Sequence, residues 1–412
     1  MSYQLELMSP AGNFDCLQAA LDNGADSIYF GVDQLNMRAR SNVNFKLDDL
    51  GEIAKRCHEK KAKAYLTLNT IIYDHDLSLI KTLANEAKKN KIDAIVAMDQ
   101  AVIHYTRSIG ISTQLSTQLN VTNIETVKFY SLFADTIVLS RELSLSQIKS
   151  ITQQIQKEKI KGPAGELIKI EIFGHGALCM AVSGKCYLSL HSSNSSANRG
   201  ACKQNCRKKY KVIDQESGFE IEIDNEYMMS PQDLCTIDFL DEIMQSGASV
   251  LKIEGRARAP EYVAETTACY REAIDSLKEG TYRKEKIEDW IRRLQSVYNR
   301  GFWGGYYLGQ KLGEWSKVGG SVATEKKIYI GKGRHYYAKT QIAEFSIEAY
   351  DLQIGDRILI TGPNTGARKT VVKELMVQGS TTTKASKGDI CTMPLEFRIR
   401  SSDKLYKLVD SI

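Results

Sequence analysis

The 412-residue sequence has no long apolar run and no recognisable targeting segment. None of its apolar stretches approaches the ~18 residues that a membrane-spanning helix needs. The N-terminal stretch MSYQLELMSPAG lacks the basic region followed by an apolar region that forms a signal peptide. We therefore expect a cytoplasmic protein that acts without a membrane partner.

Several motifs that mark common enzyme classes are also missing. The first predicted strand is followed by SPAGNFD rather than by the G-x-G-x-x-G of dinucleotide-binding folds. The chain contains no G-x-S-x-G nucleophile elbow and no H-E-x-x-H zinc-protease signature. It has only six histidines from which a general base could be drawn. These absences argue against a dinucleotide-dependent enzyme and leave few arrangements for a hydrolase.

The composition that remains is that of a globular protein with a mild excess of positive charge. Hydrophobic residues make up 42% of the chain and charged residues 25%, and the net charge is +5. This charge permits a nucleic-acid partner without requiring one. Nine cysteines in a cytosolic chain favour a metal or catalytic site over a disulfide framework.

The first 175 residues alternate short β-branched or apolar runs with amphipathic helical stretches, which is the pattern of βα units on a parallel sheet. Asn13 and Asn123 are placed to cap two of the helices. An insertion at about residues 176–235 separates the seventh unit from the eighth. Eight units predict a (β/α)8 TIM-like barrel, with a doubly wound open sheet as the alternative. The predicted strands are Leu5–Met8, Ser27–Val32, Ala64–Asn69, Ala94–Met98, Thr113–Ser116, Thr136–Ser140, Ile168–Phe173 and Ser249–Glu254.

The pattern changes after the barrel, which we place at residues 1–300. Residues 301–319 are rich in glycine and aromatics and predict a linker or docking arm. From residue 320 to 412, short β runs are punctuated by Gly, Asn and Asp. This pattern predicts a small C-terminal all-β barrel domain.

Polar residues follow or end the predicted barrel strands, where the active site of such a barrel lies. Single residues there often cap helices or satisfy loop backbone, but together they suit a small anionic ligand. The candidate substrate-binding residues are Arg38, Arg40, Asn44, Asn69, Gln118, Arg141, Lys252 and Arg256. The candidate catalytic residues are Glu171, His175 and Glu254.

Four cysteines lie in one Gly/Ser/Asn-rich stretch, GHGALCMAVSGKCYLSLHSSNSSANRGACKQNCRKKY, whose composition argues against a regular helix or strand. Cys179, Cys186, Cys202 and Cys206 follow a C-x6-C-x15-C-x3-C spacing, unlike the paired C-x2-C of a zinc ribbon. Four thiolates on an irregular loop can surround a tetrahedral ion or a [4Fe–4S] cube. Cys235 is an alternative fourth ligand. The remaining cysteines are predicted to be core residues: Cys16, Cys57, Cys269 and Cys391.

Basic residues cluster around these cysteines. They form either a solvated loop that needs charge or an electrostatic surface for an anionic substrate such as RNA. The candidate RNA-binding residues are Arg199, Lys203, Arg207, Lys208 and Lys209.

Four segments together resemble peptidase family U32, the collagenase-like peptidases: ELMSPAGNFDCLQAALDNGADSIYFGV, EIFGHGALCMAVSGKCYLS, NRGACKQNCRKKY and LKIEGRARAPEYV. The string E-x-F-x-x-G-A-L-C-x-x-x-x-G-x-C-x-L-S, from Glu171 to Ser189, matches the signature of that family. The Ser-rich segment before N-R-G departs from the usual pattern, which leaves the substrate open.

The resemblance implies more than the family name does, because members include oxygen-independent hydroxylases. One group forms 5-hydroxyuridine in tRNA and depends on prephenate, another hydroxylates a cytidine of ribosomal RNA, and a third serves ubiquinone synthesis. The third group binds a [4Fe–4S] cluster through four cysteines, which implies Cys179, Cys186, Cys202 and Cys206 as ligands here. The domain layout resembles the tRNA group, so the resemblance implies tRNA as substrate and prephenate as oxygen donor.

Two other functions remain open from the sequence. A peptidase would need a nucleophile and a base, for which Cys179 with His175 is the nearest pair. A non-catalytic iron–sulfur partner in a hydroxylase complex would need neither.

Overall fold

The computed structural model of the protein describes residues 5–39, 44–213, 216, 220–221, 227–310 and 313–411. The strands of its first 310 residues are, in chain order, β1 (Glu6–Pro10), β2 (Ser27–Phe30), β3 (Lys63–Leu68), β4 (Ala94–Ala97), β5 (Ser112–Leu115), β6 (Thr136–Val138), β7 (Lys169–Ala177), β8 (Val212–Ile213), β9 (Glu220–Ile221), β10 (Asp233–Cys235), β11 (Val250–Ile253) and β12 (Phe302–Trp303).

Eight of these strands close into a parallel barrel. β1 to β7 pair in sequence order, and β11 pairs in parallel with both β7 and β1, which completes the ring. The predicted (β/α)8 barrel is therefore confirmed, and the open sheet is excluded. Met8, Tyr29 and Val96 belong to a cluster of buried side chains from neighbouring barrel strands.

Helices cover the outside of the barrel. Asn13 accepts a hydrogen bond from the Cys16 N–H, and Asn123 accepts one from the Thr126 N–H, both at 2.9 Å, so the two predicted caps are confirmed. The helices are α1 (Phe14–Asp22), α2 (Leu50–Glu59), α3 (Leu77–Lys89), α4 (Gln100–Ser108), α5 (Ile124–Ser131), α6 (Leu145–Glu158), α7 (Leu188–Ser193), α8 (Leu240–Gln245), α9 (Pro260–Lys278) and α10 (Lys284–Ser296).

The insertion is built on an extension of β7. That strand continues to Ala177, and β10 pairs with its end in antiparallel register, with Cys235 opposite His175. β12 then pairs with β10, so the segment after residue 300 packs on this extension. The expectation that the cysteine stretch contains no regular helix or strand is wrong, because the end of β7 and the whole of α7 lie within it. The buried Ser189 of α7 accepts a hydrogen bond from the Lys203 N–H at 2.9 Å.

The C-terminal domain is all-β, as predicted. Its main sheet is antiparallel, with β17 and β19 outermost, and it packs on α1 and α9 of the barrel. Arg368 pairs with Asp22 at 3.2 Å, and Lys369 pairs with Glu265 at 3.1 Å, across this contact. Its strands are β13 (Glu325–Tyr337), β14 (Ile342–Ile347), β15 (Leu352–Gln353), β16 (Arg357–Gly362), β17 (Gly366–Val371), β18 (Met376–Val377), β19 (Ser380–Thr381), β20 (Lys384–Ala385), β21 (Ile390–Pro394) and β22 (Lys404–Asp410).

No helix within the described part of the chain combines the length and the hydropathy needed to cross a bilayer.

Candidate active site

A cavity of about 280 Å³ opens at the C-terminal ends of the barrel strands. Strand ends form its floor, and the cysteine-bearing insertion forms its outer wall. Among the described residues that line it, seven are cationic and one, Glu254, is a carboxylate. The cationic residues are Arg38, Arg141, Arg207, Lys252, Arg256, Arg258 and Arg300. This charge balance favours an anionic ligand.

The four clustered cysteines all line this cavity and are not disulfide-bonded. Cys179 and Cys202 are exposed, whereas Cys186 and Cys206 are half-buried. Burial raises the pKa of the Cys206 thiol, and the other three thiols raise it further because they lie close enough to interact with it. The Gln204 N–H donates to the Cys202 sulfur at 3.4 Å, which is the kind of contact that stabilises a metal-bound thiolate.

Among the described residues, the four cysteines line one cavity without forming a compact site for a single ion. Within the described ranges, no three His, Cys, Asp or Glu side chains lie close enough together to hold one metal ion. A zinc ion would draw its sulfur ligands to about 2.3 Å from a common centre. In an iron–sulfur cube each thiolate binds a different iron, and four thiolates are the usual donor set of that group, so the residues present fit it.

Two glycines of the insertion are needed where the backbone comes close to other segments. Gly176 has a φ of +104°, and a Cβ there would overlap the carbonyl oxygen of Glu254. Gly200 has a φ of +79°, and a Cβ there would overlap the carbonyl oxygen of Asn36. Both positions therefore require glycine to bring the cysteine loop against the barrel mouth.

Glu254 lies at the centre of the charged network in the cavity. Its Oε1 accepts a hydrogen bond from Arg38 at 3.3 Å, and its Oε2 accepts one from the Tyr29 hydroxyl at 3.0 Å. Burial raises the pKa of Glu254, but three surrounding guanidinium groups, led by Arg38, lower it more, so that it lies below its usual value. Glu254 is therefore a fixed negative charge and a poor general acid near neutral pH.

Lys252 and Glu171 form a buried ion pair beneath the cavity. The Lys252 Nζ donates to Glu171 Oε1 at 2.9 Å, and Gln114 donates to the other carboxylate oxygen. Burial raises the pKa of Glu171, and Lys252 offsets part of that rise. The Lys252 ammonium also lies 4.4 Å from the centre of the Tyr29 ring. Lys252 lines the cavity, whereas Glu171 lies below it and holds the lysine in place.

Three hydrogen-bond donors in the cavity lack protein partners. Among the described residues, six buried side-chain nitrogen or oxygen atoms have no partner, and three of these are the Gln118 Nε2, the Arg141 Nε and the Arg256 Nε. All three side chains line the cavity, and none of the other three residues does. Unsatisfied buried donors cost free energy, so their convergence points to a ligand that carries acceptor oxygens.

A family model, "Peptidase family U32", matches residues 12–317, which is well over half of the chain. The chain belongs to peptidase family U32. Its relatives carry different functional names. It is 52% identical to "Collagenase" of Porphyromonas gingivalis, with 98% of this chain and 97% of the relative covered.

Two other relatives of this U32 chain are named for RNA hydroxylation. The chain is 33% identical to "tRNA hydroxylation protein P" of Helicobacter pylori, with 74% of this chain and 72% of the relative covered. It is 34% identical to "23S rRNA 5-hydroxycytidine C2501 synthase" of Escherichia coli, over 68% of this chain and 40% of the relative.

The U32 barrel does not bring His175 to the cavity. This side chain is buried, its Nδ1 lies 3.4 Å from the Tyr270 hydroxyl, and its ring packs against Tyr262 and Phe302. Burial lowers the pKa of His175 to about 3. No hydrogen bond links it to Cys179 among the described residues. The catalytic role predicted for His175 therefore has no support from its position, and Glu171 is likewise outside the lining.

The candidate substrate-binding residues divide into three groups. Six of the eight line the cavity: Arg38, Asn69, Gln118, Arg141, Lys252 and Arg256. Asn44 does not line it and donates instead to the carbonyl oxygens of Arg38 and Ala39. Arg40 lies outside the described residues.

The candidate RNA-binding residues also differ in position. Arg199 donates to the Asp76 carboxylate at 2.6 Å, and Arg207 donates to the carbonyl oxygens of Leu178 and Pro231, each at 2.6 Å. Both guanidinium groups thus hold protein segments together, and their role in RNA binding stays a prediction without support from these contacts. Lys203, Lys208 and Lys209 are exposed.

Sequence reasoning missed Tyr29, Arg258 and Arg300 as cavity residues. Tyr29 lies within a predicted strand, where alternation alone does not show which face points to the mouth. Arg258 follows the eighth strand in LKIEGRAR and could have been included with Arg256. Arg300 follows α10, lines the cavity and pairs with Asp233 of β10 at 3.1 Å.

Proposed function

We propose that this U32 chain is an oxygen-independent RNA hydroxylation enzyme that forms 5-hydroxyuridine in tRNA, with prephenate as the oxygen donor and a [4Fe–4S] cluster as cofactor. The proposal is based on one observation, that two features occur in the same cavity. Four cysteines form its outer wall, and a cationic interior presents three N–H groups without partners. The relatives named for tRNA and rRNA hydroxylation support the reaction class.

Cys179, Cys186, Cys202 and Cys206 would hold the cluster, which would supply electrons or polarise the donor when bound. Other residues of the chain hold the cysteine-bearing loop in position. Arg207 ties the backbone beside Cys179 to the return of the insertion, and the Gln204 N–H donates to the Cys202 sulfur. Positive charge around four thiolates offsets their negative charge.

The arginines of the cavity would bind the carboxylates of the donor. Arg256 donates to Thr67 and Asn36, which fixes the guanidinium plane and leaves its Nε without a partner. Arg141 lies over the Phe173 ring at 3.8 Å and donates to the Ala177 carbonyl at 3.2 Å. Guanidinium groups held in this way are suited to bidentate carboxylate contacts.

The target pyrimidine would enter the same cavity as a flipped-out or unpaired base, since a stacked base is out of reach of an enclosed site. The buried amide of Gln118 then offers an N–H donor to the base or the donor molecule, while its Oε1 accepts from Ser116 at 3.1 Å. The insertion covers this cavity and limits access of water.

The first test of the proposal measures the iron and sulfide content of the protein. Protein purified without oxygen is expected to contain about four irons and four acid-labile sulfides per chain. Single serine variants of Cys179, Cys186, Cys202 and Cys206 should lose them, whereas Cys235→Ser, a buried thiol outside the cavity lining, should retain them. Iron-free protein with undiminished hydroxylation activity would overturn the cofactor assignment.

The reaction is tested by mass spectrometry of tRNA nucleosides from a strain lacking the gene. Wild-type protein should restore 5-hydroxyuridine, and Arg256→Met should keep its iron but reduce the product roughly 10- to 100-fold, the cost of a lost charged hydrogen bond. Omission of prephenate should abolish the product in vitro. Gelatin hydrolysis by metal-free protein, lost in Cys179→Ala, would instead establish the peptidase that the Porphyromonas relative's name suggests. Activity that requires a second protein would favour a non-catalytic iron–sulfur partner.

A further inference from the structure

The chain from Ile172 to Ile213 contains no aspartate or glutamate. With 50 acidic residues in 412, a stretch of that length would average about five. The same stretch carries seven lysines and arginines. Lys185 and Lys203 are exposed, while Arg199 and Arg207 are bonded internally. The stretch from Ile172 to Ile213 therefore presents solvent-facing lysines and contributes no carboxylate of its own.

Large apolar side chains are exposed on the same segment. We call Met180, Val182, Tyr187 and Leu188 the rim platform; their exposures are 42%, 48%, 68% and 38%. The rings of Tyr187 and His191 lie 5.7 Å apart, which steadies the tyrosine at the surface. Met180 and Leu188 also line the cavity, so the rim platform borders its mouth.

The surroundings of the rim platform distinguish it from other exposed aromatic side chains. Tyr350 in the C-terminal domain is 69% exposed, but its chain neighbours include Glu348 and Asp351, which repel a polyanion. Around Tyr187 the nearest charged residues in sequence are cationic. An exposed aromatic ring on a segment that carries lysines and no carboxylate of its own matches the physical requirements of unpaired nucleotides. Their bases stack, and their phosphates need positive charge.

We propose that the rim platform stacks an unpaired base of single-stranded RNA beside the nucleotide that enters the cavity, with Tyr187 as the stacking surface and Lys185 and Lys203 contacting phosphates. The proposal rests on the proposed function, because it names how the RNA substrate is held at that site. It assigns base stacking to a segment in which Cys179 directly precedes the platform and Cys186 directly precedes Tyr187, and both cysteines line the cavity.

The test measures binding of fluorescein-labelled oligouridylate of about twelve nucleotides to the iron-loaded full chain, by anisotropy at several salt concentrations. Tyr187→Ala should weaken binding roughly 5- to 100-fold with an unchanged salt slope, whereas Tyr187→Trp should retain it. Lys203→Gln should instead reduce the salt slope by about one. The matched control, Tyr350→Ala, should bind like wild type.

The outcomes separate this proposal from the proposed function. Wild-type affinity in Tyr187→Ala, or an equal loss for oligouridylate and for its duplex with oligoadenylate, overturns stacking but leaves hydroxylation standing. Absence of any RNA binding by the iron-loaded wild type overturns both. If Tyr187→Trp retains oligouridylate binding and Tyr187→Leu loses it, stacking is supported over general apolar contact, since both replacements keep apolar area at the rim.

Discussion

The Tyr29 hydroxyl lies 3.0 Å from Oε2 of Glu254 and 3.0 Å from the carbonyl oxygen of Ile253, so one buried phenol joins β2 to the end of β11. Burial and the adjacent carboxylate raise the pKa of Tyr29 well above its usual value, which keeps the hydroxyl protonated. Glu254 is thereby held facing Arg38 at the cavity mouth.

Tyr29→Phe should therefore lower the free energy of unfolding by about 1.5–3 kcal/mol, the typical worth of a hydrogen bond to a charged group. Urea denaturation of the variant and of wild type measures this difference in the free energy of unfolding. Tyr350→Phe removes a hydroxyl from an exposed ring and should change the free energy by less than about 0.5 kcal/mol. Equal effects of the two substitutions would show that the contact with Glu254 adds nothing to stability.

Lys252→Met should be costly because it leaves the Glu171 carboxylate buried without its cation. We expect the free energy of unfolding to fall by about 3–5 kcal/mol near pH 7. The double variant Lys252→Met with Glu171→Gln should recover much of it, since no buried charge then remains. A double variant as unstable as the single one would mean that packing, not charge, dominates at this site.

The same variant should show a defined pH dependence. The pKa of Glu171 is already raised by burial above its usual value of 4.5, and loss of Lys252 raises it further. The folded state then binds a proton that the unfolded state releases, so stability falls as pH rises above 4.5 towards the folded pKa. Denaturation at a series of pH values should show this fall for Lys252→Met and a smaller fall for wild type.

The accessibility of thiols gives a test that does not depend on activity. In chelator-treated protein, four cysteines, Cys179, Cys186, Cys202 and Cys206, are exposed or half-buried, and the other five are buried. A thiol reagent should therefore modify four groups quickly and five only after denaturation. In iron-loaded protein the four should be protected. Rapid modification of five or more native thiols would place Cys235 or a helix cysteine nearer to solvent than the structure does.

The barrel was predictable because burial on both faces of parallel strands leaves apolar runs, and amphipathic helices separate them. The shared location of the four clustered cysteines also follows from local sequence, since all four line the cavity and Cys235 does not. What local patterns could not show was the antiparallel return of β10 onto β7, because that pairing joins residues about sixty positions apart.

That return explains why His175 lies away from the cavity. Its position just beyond a predicted strand end suggested the mouth of the barrel. In the structure β7 runs on to Ala177, and His175 is enclosed between α9, β10 and β12. The contacts of Arg207 were equally hidden, because a basic cluster in sequence does not show which of its members bond to backbone.

A substitution of Arg207 can distinguish a structural role of this residue from a role in RNA binding. Its guanidinium donates to two segments, at Leu178 and at Ser230 with Pro231. A lysine cannot reproduce these contacts because it lacks the planar fork of donors. Arg207→Lys keeps the charge, so the salt dependence of RNA binding should be unchanged while the protein is destabilised by about 1.5–3 kcal/mol and loses iron faster.

Lys208→Gln is the matched control one residue away, since its side chain is exposed. It should keep wild-type stability and iron content but reduce the salt slope of RNA binding by about one, as expected for one lost phosphate contact. For both variants, stability is measured by urea denaturation, iron retention by iron release, and RNA binding by anisotropy, all on the same preparations. If Arg207→Lys were as stable as wild type and retained its iron, the guanidinium contacts would not be what positions the cysteine loop. The basic cluster would then act as a unit on RNA, as its sequence alone suggested.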